Sequence, residues 1–258
     1  MKDSAINRYS TEVLKKIDDF LPEKLFDAHM HISHLNTNSC AYTTFDNYYN
    51  DIKVYSKNRI VRCNGIVFPE ADLKNPKSMD ESDKFVFEQL EKYPNNVAEI
   101  MVLPTDTVDG VKKRLIHNNI CALKCYCIYA DRPDNMYANI EEYLPEAAWI
   151  VASEKKLAIT LHMVKDEALA HSDNLNYIIK MAKIYQDVVL ILAHAARAFA
   201  AWTVFDIVDK LVPYENVWFD FSAICESPAM LYILKKIGVK RCMWGTDYPI
   251  SLFEGKAV

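Results

Sequence analysis

Eight short apolar runs recur along the chain, and they constrain its fold more than any other feature. Amphipathic segments with helical spacing separate several of them, at residues 83–93, 174–186, 198–212 and 228–238. Strands that alternate with helices are typical of a parallel sheet joined by crossover helices. The predicted strands cover residues 25–31, 59–68, 97–104, 120–129, 157–164, 188–194, 217–222 and 241–247.

The number of predicted strands favours a closed barrel over an open, doubly wound sheet. A (β/α)8 TIM barrel takes about 250 residues, and this chain has 258. A doubly wound sheet usually begins with a glycine-rich turn, but only five glycines occur here and none has the spacing of a nucleotide-binding loop. We therefore predict an α/β chain, a distorted TIM barrel, with residues 1–258 as one domain. A short helix at residues 10–21 precedes it, and little or no final helix follows it.

Charge and cysteine content exclude several classes of protein. The formal net charge is -5 and no Lys/Arg cluster occurs, so the basic footprint of a nucleic-acid-binding protein is missing. No apolar run approaches the roughly 20 residues that cross a bilayer. Seven cysteines form no CxxC pair, which favours free thiols and a cytoplasmic location. The expected partner is a small-molecule substrate, with no nucleic acid and no membrane, and a homo-oligomer remains open.

Four histidines and one aspartate fall at the ends of predicted strands. His29 and His31 end the first strand, His162 the fifth and His194 the sixth, while Asp247 ends the eighth. Catalytic groups of TIM barrels lie at the carboxyl ends of the strands, and the i, i+2 spacing turns the first two histidines to the same face. One such histidine alone more often makes a structural hydrogen bond. Five such residues together favour a metal or catalytic site.

The motifs around these residues resemble those of a known superfamily. FDAHMH near the start, ITLH, ILAHAAR and WGTDYP near the end together resemble the amidohydrolase superfamily, and most closely its amidohydrolase 2 branch of decarboxylases, hydratases and lactonases. The resemblance implies a distorted TIM barrel with a single divalent ion, usually zinc. It implies that His29, His31, His162 and Asp247 are ligands. Asp247 would also accept a proton, and His194 would polarise the substrate or orient the attacking water.

The chemistry of this ligand set agrees with those roles. Imidazoles and a carboxylate suit Zn²⁺, and they also accept Mn²⁺ or Fe²⁺. A bound divalent ion makes water easier to deprotonate near neutral pH. We expect His194 to be useful near its ordinary pKa, where it donates to a developing oxyanion. Some lactonases of the branch keep these residues without needing metal, so a metal-free site is the alternative.

Four further residues are predicted to contact the substrate. Arg197 follows the sixth strand, and its planar guanidinium suits a carboxylate, although a structural ion pair is the alternative. Lys124 lies in the fourth strand, where a buried, paired lysine is the alternative. His34 follows the first strand, and Arg132 belongs to loop 131–139, a candidate flap.

Three functions compete for this site. The first is a metal-dependent hydrolase of C–O or C–N bonds in a lactone, ester or amide, acting on a small, polar, carboxylated substrate. The second is a lyase with the same site, a decarboxylase or hydratase. The third is a barrel without catalytic activity, which the complete ligand set disfavours.

Overall fold

Eight parallel strands pair in chain order in the computed structural model, which describes residues 12, 13, 15, 16, 18–35, 42–69 and 76–252. This order confirms the predicted (β/α)8 architecture. Several predicted strands were too long, because the chain turns into loops sooner; the fourth, for example, ends at Cys125. The strands are β1 (Lys24–Ile32), β2 (Ile60–Val67), β3 (Val97–Met101), β4 (Ile120–Cys125), β5 (Ala158–Leu161), β6 (Leu190–Leu192), β7 (Val217–Asp220) and β8 (Cys242–Met243).

Hydrogen bonds between β1 and the segment around β8 bring the two ends of the sheet together. The Ala28 N–H donates to the carbonyl of Trp244 at 3.0 Å, and the Asp247 N–H donates to the carbonyl of His29 at 2.7 Å. The His31 N–H donates to the carbonyl of Tyr248 at 2.7 Å. Because these bonds alternate along β1, the residues that follow β8 lie beside both histidines of the FDAHMH motif.

Six regular right-handed α-helices occur among the described residues from 42 to 252, and three of them were predicted. The predicted segments 83–93, 174–186 and 228–238 overlap helices α2, α5 and α6. The helix predicted over residues 10–21 agrees with the helical backbone at residues 12, 13, 15, 16 and 18. Residues 10, 11, 14 and 17 lie outside the described part. The helices are α1 (Phe45–Ser56), α2 (Pro76–Lys92), α3 (Val108–Arg114), α4 (Glu146–Lys155), α5 (Ser172–Ile184) and α6 (Ser227–Ile237).

The helix predicted over residues 198–212 is wrong. The chain forms two short 3-10 turns there, Ala201–Thr203 and Val208–Leu211. Its apolar residues have helical spacing, but many are aromatic or β-branched and have low helix propensity. Asp206 also adopts a left-handed backbone with φ 61, which interrupts a right-handed helix.

A groove of about 870 Å³ lies on the outside of the barrel, between the N-terminal segment, α1 and the residues after β8. The last described element is the 3-10 turn Ile250–Leu252, and residues 253–258 lie outside the described part. Within the described residues no α-helix follows β8, as predicted. The side chains of Val54, Tyr55 and Trp244, which line this groove, are largely exposed.

The apolar core lies between the sheet and its helices, while the barrel interior is polar. Ile100, Leu123 and Phe219 are fully buried in one continuous apolar cluster with Trp149 of α4. Among the described helices, none is long and apolar enough to span a membrane. The six cysteines in the described part have free thiols. Polar side chains are thus concentrated inside the barrel, where the candidate site is found.

Candidate metal centre

Strand β1 delivers both histidines of the FDAHMH motif to the barrel interior. Their exposed fractions are 1% for His29 and 5% for His31, and their ring centroids are 5.0 Å apart. The register of β1 against β2 shifts between Asp27 and Met30, so the strand is irregular where it carries His29. The prediction that these two side chains share one face is confirmed by this geometry.

Hydrogen-bond partners assign the hydrogen on each ring. Nδ1 of His29 lies 3.1 Å from a carboxylate oxygen of Asp220, and Nδ1 of His31 lies 3.3 Å from the carbonyl oxygen of Ile66. Both partners only accept, so each Nδ1 carries a hydrogen and each neutral ring keeps a lone pair on Nε2. This is how histidines that bind metal through Nε2 are commonly held.

Asp247 brings a carboxylate oxygen to both of these Nε2 atoms. Its Oδ1 is 3.0 Å from Nε2 of His31 and 3.5 Å from Nε2 of His29. Lone pairs that face a carboxylate repel it unless a cation, either a proton or a metal ion, lies between them. Tetrahedral zinc with bonds of about 2.0–2.1 Å separates its ligands by about 3.3 Å. The three side chains therefore fit a divalent ion, and their ligand atoms all lie within 4.8 Å of one another.

A second group of three side chains meets the same distance criterion but differs in chemistry. His29, His194 and Asp220 also bring ligand atoms within 4.8 Å of one another. However, both oxygens of Asp220 already accept hydrogen bonds, from donors that include Nδ1 of His29. The ligand set with available lone pairs is that of His29, His31 and Asp247.

Burial and neighbouring charges set the protonation of this site. Burial lowers the pKa of His29 to about 4, although the Asp220 charge opposes the shift, so the ring is neutral at pH 7. Burial alone would raise the pKa of Asp247, but its close contact with His31 and the neighbouring histidines hold it well below its usual range. Asp247 is consequently ionised at every pH at which metal ligation matters.

The backbone conformation that positions His194 is unusual. Residues 194–197 all have positive φ, between 51° and 62°, and L-residues pay roughly 1–2 kcal/mol each in this left-handed region. Nδ1 of His194 lies 3.2 Å from the carbonyl oxygen of Ser222 and 3.0 Å from its hydroxyl. Nδ1 therefore carries the hydrogen and Nε2 the lone pair.

The expectation that His194 donates near its ordinary pKa is not met by this environment. Burial lowers its pKa, against the charges of Asp247 and Asp220. The neutral ring accepts a hydrogen bond or a proton at Nε2, and it donates there only after taking up a proton. Its ring lies 4.9 Å from that of His29, so it belongs to the same site.

His162 lies on the same rim but at its edge. Its ring centroid is 5.3 Å from that of His194 and 5.7 Å from that of Tyr126. Burial, with the charges of His194 and Lys124, lowers its pKa well below the ordinary value. Neither compact ligand group includes it. Its role as a ligand stays a prediction.

Asp27 and Gly245 fix the seam between β1 and the WGTDYP segment. The carboxylate of Asp27 accepts hydrogen bonds from the N–H of Thr246 at 2.9 Å and from the Thr246 hydroxyl at 2.6 Å. It also accepts one from the N–H of His29 at 3.1 Å. A Cβ on Gly245 would lie 2.8 Å from the Cβ of His29, so only glycine allows this approach. These contacts therefore hold the two segments that carry the proposed ligands in a fixed relative position.

Lys124 and Glu99 lie in the interior of the barrel, and both are fully buried. Glu99 accepts hydrogen bonds at Oε1 from Asn64 (2.6 Å) and Thr160 (2.8 Å). Its Oε2 and the Nζ of Lys124 have no protein partner within the described part of the chain. Burial raises the pKa of Glu99 to about 7 and lowers that of Lys124, and in each case the partner's charge opposes the shift.

The remaining predicted substrate residues differ in the contacts that their side chains make. The guanidinium of Arg197 stacks over the ring of Phe199 at 5.6 Å; across the described residues, it has no ion-pair partner. Arg132 instead pairs with Glu142 of the 3-10 turn that follows its loop, at 2.9 Å. The ring of His34 lies 5.7 Å from that of Phe85 on α2. Substrate contact by these residues stays a prediction.

Asp220 was missed by the sequence analysis, as were Ser222, Asp27 and Glu99. A signal for Asp220 was present, because the run VWFD ends in an acidic residue at the carboxyl end of the seventh strand, as the run with Asp247 does in the eighth. Glu99 gave no such signal, since an acidic residue inside a short strand is more often assigned to its solvent face.

Comparison with known proteins identifies the family of this chain. The family model described as amidohydrolase (Amidohydro_2) matches residues 76–257, a span with His162, His194 and Asp247 but without the FDAHMH motif. A search of curated proteins finds no match.

Solved structures share the fold at low sequence identity. An amidohydrolase from Burkholderia multivorans with bound zinc superposes with a TM-score of 0.63 and 11% identity, over 88% of this chain and 85% of that one. A 5-carboxyvanillate decarboxylase from Sphingomonas paucimobilis gives 0.60 and 10%, over 89% and 90%. A 2,6-dihydroxybenzoate decarboxylase from Rhizobium gives 0.61 and 12%, over 87% and 88%.

Proposed function

Because this chain belongs to the amidohydrolase 2 family, we propose that it is a metal-dependent hydrolase of a small, carboxylated substrate. The bond attacked is a C–O or C–N bond of a lactone, ester or amide. The metal is zinc, for which Mn²⁺ or Fe²⁺ can substitute at a site of this composition. Free thiols in the described part of the chain support a cytoplasmic location.

One observation carries the proposal, namely that the Nε2 atoms of two buried imidazoles face the same carboxylate oxygen. His29 and His31 both have Nδ1 committed to acceptors, and Oδ1 of Asp247 lies 3.5 Å from Nε2 of His29 and 3.0 Å from Nε2 of His31. A divalent ion held there would polarise a substrate carbonyl and acidify a water molecule. His162 is the proposed fourth ligand.

The chain's own residues provide the proton transfers. Asp247, ionised and buried, takes a proton from the attacking water in the transition state and returns it to the leaving group. Neutral His194 accepts a hydrogen bond from that water at Nε2, while Ser222 holds its Nδ1–H. Because the side chain of His194 is locked at Nδ1, the lone pair stays directed into the site.

Two cationic side chains support a carboxylated substrate. After burial and the charge of His194, the charges of Lys124 and Arg197 also lower the pKa of His162. The Lys124 charge contributes to the lowered pKa of His29 as well, after burial. Both contributions support positions for these two cations near the site. A planar guanidinium binds a carboxylate through two parallel hydrogen bonds. We propose that Arg197 holds the substrate carboxylate and that Lys124 stabilises negative charge closer to the ion.

Metal analysis and substrate profiling test the proposal. Purified protein should carry about one equivalent of zinc, manganese or iron, and a panel of lactones, amides and aromatic carboxylates should yield an activity that chelators remove. Asp247→Asn and His29→Ala should abolish that activity. His117→Ala is the matched control, since His117 packs on Phe87, and its activity should be unchanged. Activity that survives in Asp247→Asn would refute the assignment.

Decarboxylation is the second candidate, because two of the fold neighbours described above are decarboxylases. Arg197 and Lys124, which have no ion-pair partner within the described residues, would also suit an aromatic carboxylate. A substrate labelled in its carboxyl group distinguishes the two reactions. A hydrolase retains the labelled carboxyl and incorporates solvent oxygen, whereas a decarboxylase releases labelled CO2. A barrel without catalytic activity would show neither result and would bind ligands equally well after His29→Ala.

A further inference from the structure

We propose that Asp220, at the carboxyl end of β7, is a positioning residue that sets which nitrogen of His29 carries the hydrogen and thereby keeps Nε2 available. This inference rests on the proposed metal site at His29. It adds a residue from a strand that the ligand set itself does not use.

Four donors hold the carboxylate of Asp220 in one orientation. Oδ2 accepts the Nδ1–H of His29 at 3.1 Å. Oδ1 accepts the N–H of Ser222 at 3.0 Å, the N–H of His194 at 3.3 Å and the hydroxyl of Ser222. The residue is 1% exposed. Three donors therefore converge on Oδ1, while Oδ2 faces the ring of His29.

These contacts favour a positioning role over ligation. A metal ion bound at Oδ1 would have to displace one of its three donors, two of which are backbone N–H groups, and Oδ2 is directed at Nδ1 of His29.

The same carboxylate reaches His194 through Ser222. The serine hydroxyl gives its hydrogen to Asp220, so its oxygen can accept from Nδ1 of His194 at 3.0 Å, beside the Ser222 carbonyl at 3.2 Å. Asp220 also accepts the His194 N–H, at the first residue of the left-handed turn. One buried carboxylate thus supports two rings that both present Nε2 to the site.

The direction of these donors determines what an amide would do in its place. In Asp220→Asn the two backbone N–H groups of Ser222 and His194 require an acceptor, so the amide oxygen must take the Oδ1 position. The amide NH2 then faces Nδ1 of His29. Since two donors repel, the His29 hydrogen moves to Nε2, while His194 keeps its hydrogen on Nδ1.

Nitrogen-15 NMR of the histidine rings in metal-free protein tests this directly, at a pH where His29 is neutral. The wild type should show His29 with its hydrogen on Nδ1, assigned by its loss in His29→Ala. Asp220→Asn should show the hydrogen on Nε2 of His29 and no change at His194. Zinc affinity, measured by chelator competition, should fall about 10–100-fold, as for other residues that orient a metal ligand.

Asp83→Asn is the control, because Asp83 is also a buried aspartate, held by two hydrogen bonds from Arg114 rather than by a histidine. It should leave the His29 spectrum and the zinc affinity unchanged. A wild-type His29 with its hydrogen on Nε2 would overturn the proposal, even if Asp220→Asn does not fold. A loss of affinity in Asp220→Asn without the hydrogen shift would also overturn it, since a ligand would behave that way. If the wild type binds no metal, the proposed function fails, while the NMR result still decides the role of Asp220.

Discussion

Gly245→Ala should weaken both the barrel and its metal site, because this glycine lies at the closest approach between the WGTDYP segment and β1. A Cβ added there would lie 2.8 Å from the Cβ of His29, 3.0 Å from its backbone nitrogen and 3.2 Å from the Cβ of Ser222. None of these atoms is the free end of a flexible side chain. The strands must therefore separate by several tenths of an ångström, and such overpacking costs about 1–3 kcal/mol.

That cost converts into a measurable change in melting temperature. An unfolding entropy of about 2.1 cal/mol/K per residue gives about 0.5 kcal/mol/K for 258 residues, so Tm should fall by about 2–6 °C in differential scanning calorimetry. Zinc affinity should fall as well, because the displaced atoms belong to His29 and Ser222.

Gly110→Ala is the matched control for this substitution. Gly110 lies in the first turn of α3, where an added Cβ meets only the hydroxyl oxygen of Thr107, at 3.1 Å. Alanine is favoured over glycine in a helix by roughly 0.5–1 kcal/mol, so its Tm should not fall by more than about 1 °C and its zinc affinity should be unchanged. Equal Tm values for Gly245→Ala and wild type would refute the packing argument.

Three further substitutions test other parts of the structure. Glu99→Gln should alter how the stability of the metal-free protein depends on pH. The pKa of Glu99 in the folded state, about 7, exceeds its ordinary value of 4.5. The contribution of Glu99 to the free energy of unfolding is therefore full below pH 4.5 and falls by about 3 kcal/mol as the pH rises to 7. The variant lacks this fall in urea titrations with a chelator, and parallel curves would contradict the assignment. Thr44→Ala removes the hydroxyl that caps α1 at Asn47 and should lower the free energy of unfolding by about 1 kcal/mol, whereas no loss would show that the cap is not needed. Arg114→Met leaves the carboxylate of buried Asp83 without its two hydrogen bonds and should cost about 3–5 kcal/mol; a loss below 1 kcal/mol would mean that the pair is dispensable.

Strand order and most of the site followed from the sequence because both depend on local patterns. A buried parallel strand is apolar on both faces, except where a polar side chain points into a site. Polar residues at the ends of apolar runs, such as His29, His194 and Asp247, are therefore easy to recognise as site residues. Helix α4 was not predicted, since its sequence EAAWIVASEK is apolar around most of its circumference and therefore lacks the one-sided pattern of an amphipathic helix.

The partners of the site residues depend on contacts that no local pattern encodes. Asp220 lies 191 residues from His29 in sequence, and its role follows from the barrel's closure, which brings β7 next to the first strand through the short β8. The left-handed turn at His194 is similar, because nothing in the sequence AHAAR signals four positive φ values in the absence of glycine. Here tertiary hydrogen bonds to Asp220 and Ser222 override the local preference of the backbone.

The buried polar atoms without protein partners distinguish a working site from a degenerate barrel. Nε2 of His29, Nζ of Lys124 and Oε2 of Glu99 lack such partners in the described part of the chain, and each buried group of this kind costs about 1–3 kcal/mol when left unsatisfied. Together they would cost a large fraction of the 5–15 kcal/mol by which typical domains are stable. A purely structural interior would gain stability by replacing them with apolar side chains of similar volume. A site that binds a cation and an anionic substrate side by side instead needs both acidic and basic groups close together. In this barrel, Asp220 and Asp27 would keep the histidines in place while ligands bind and dissociate.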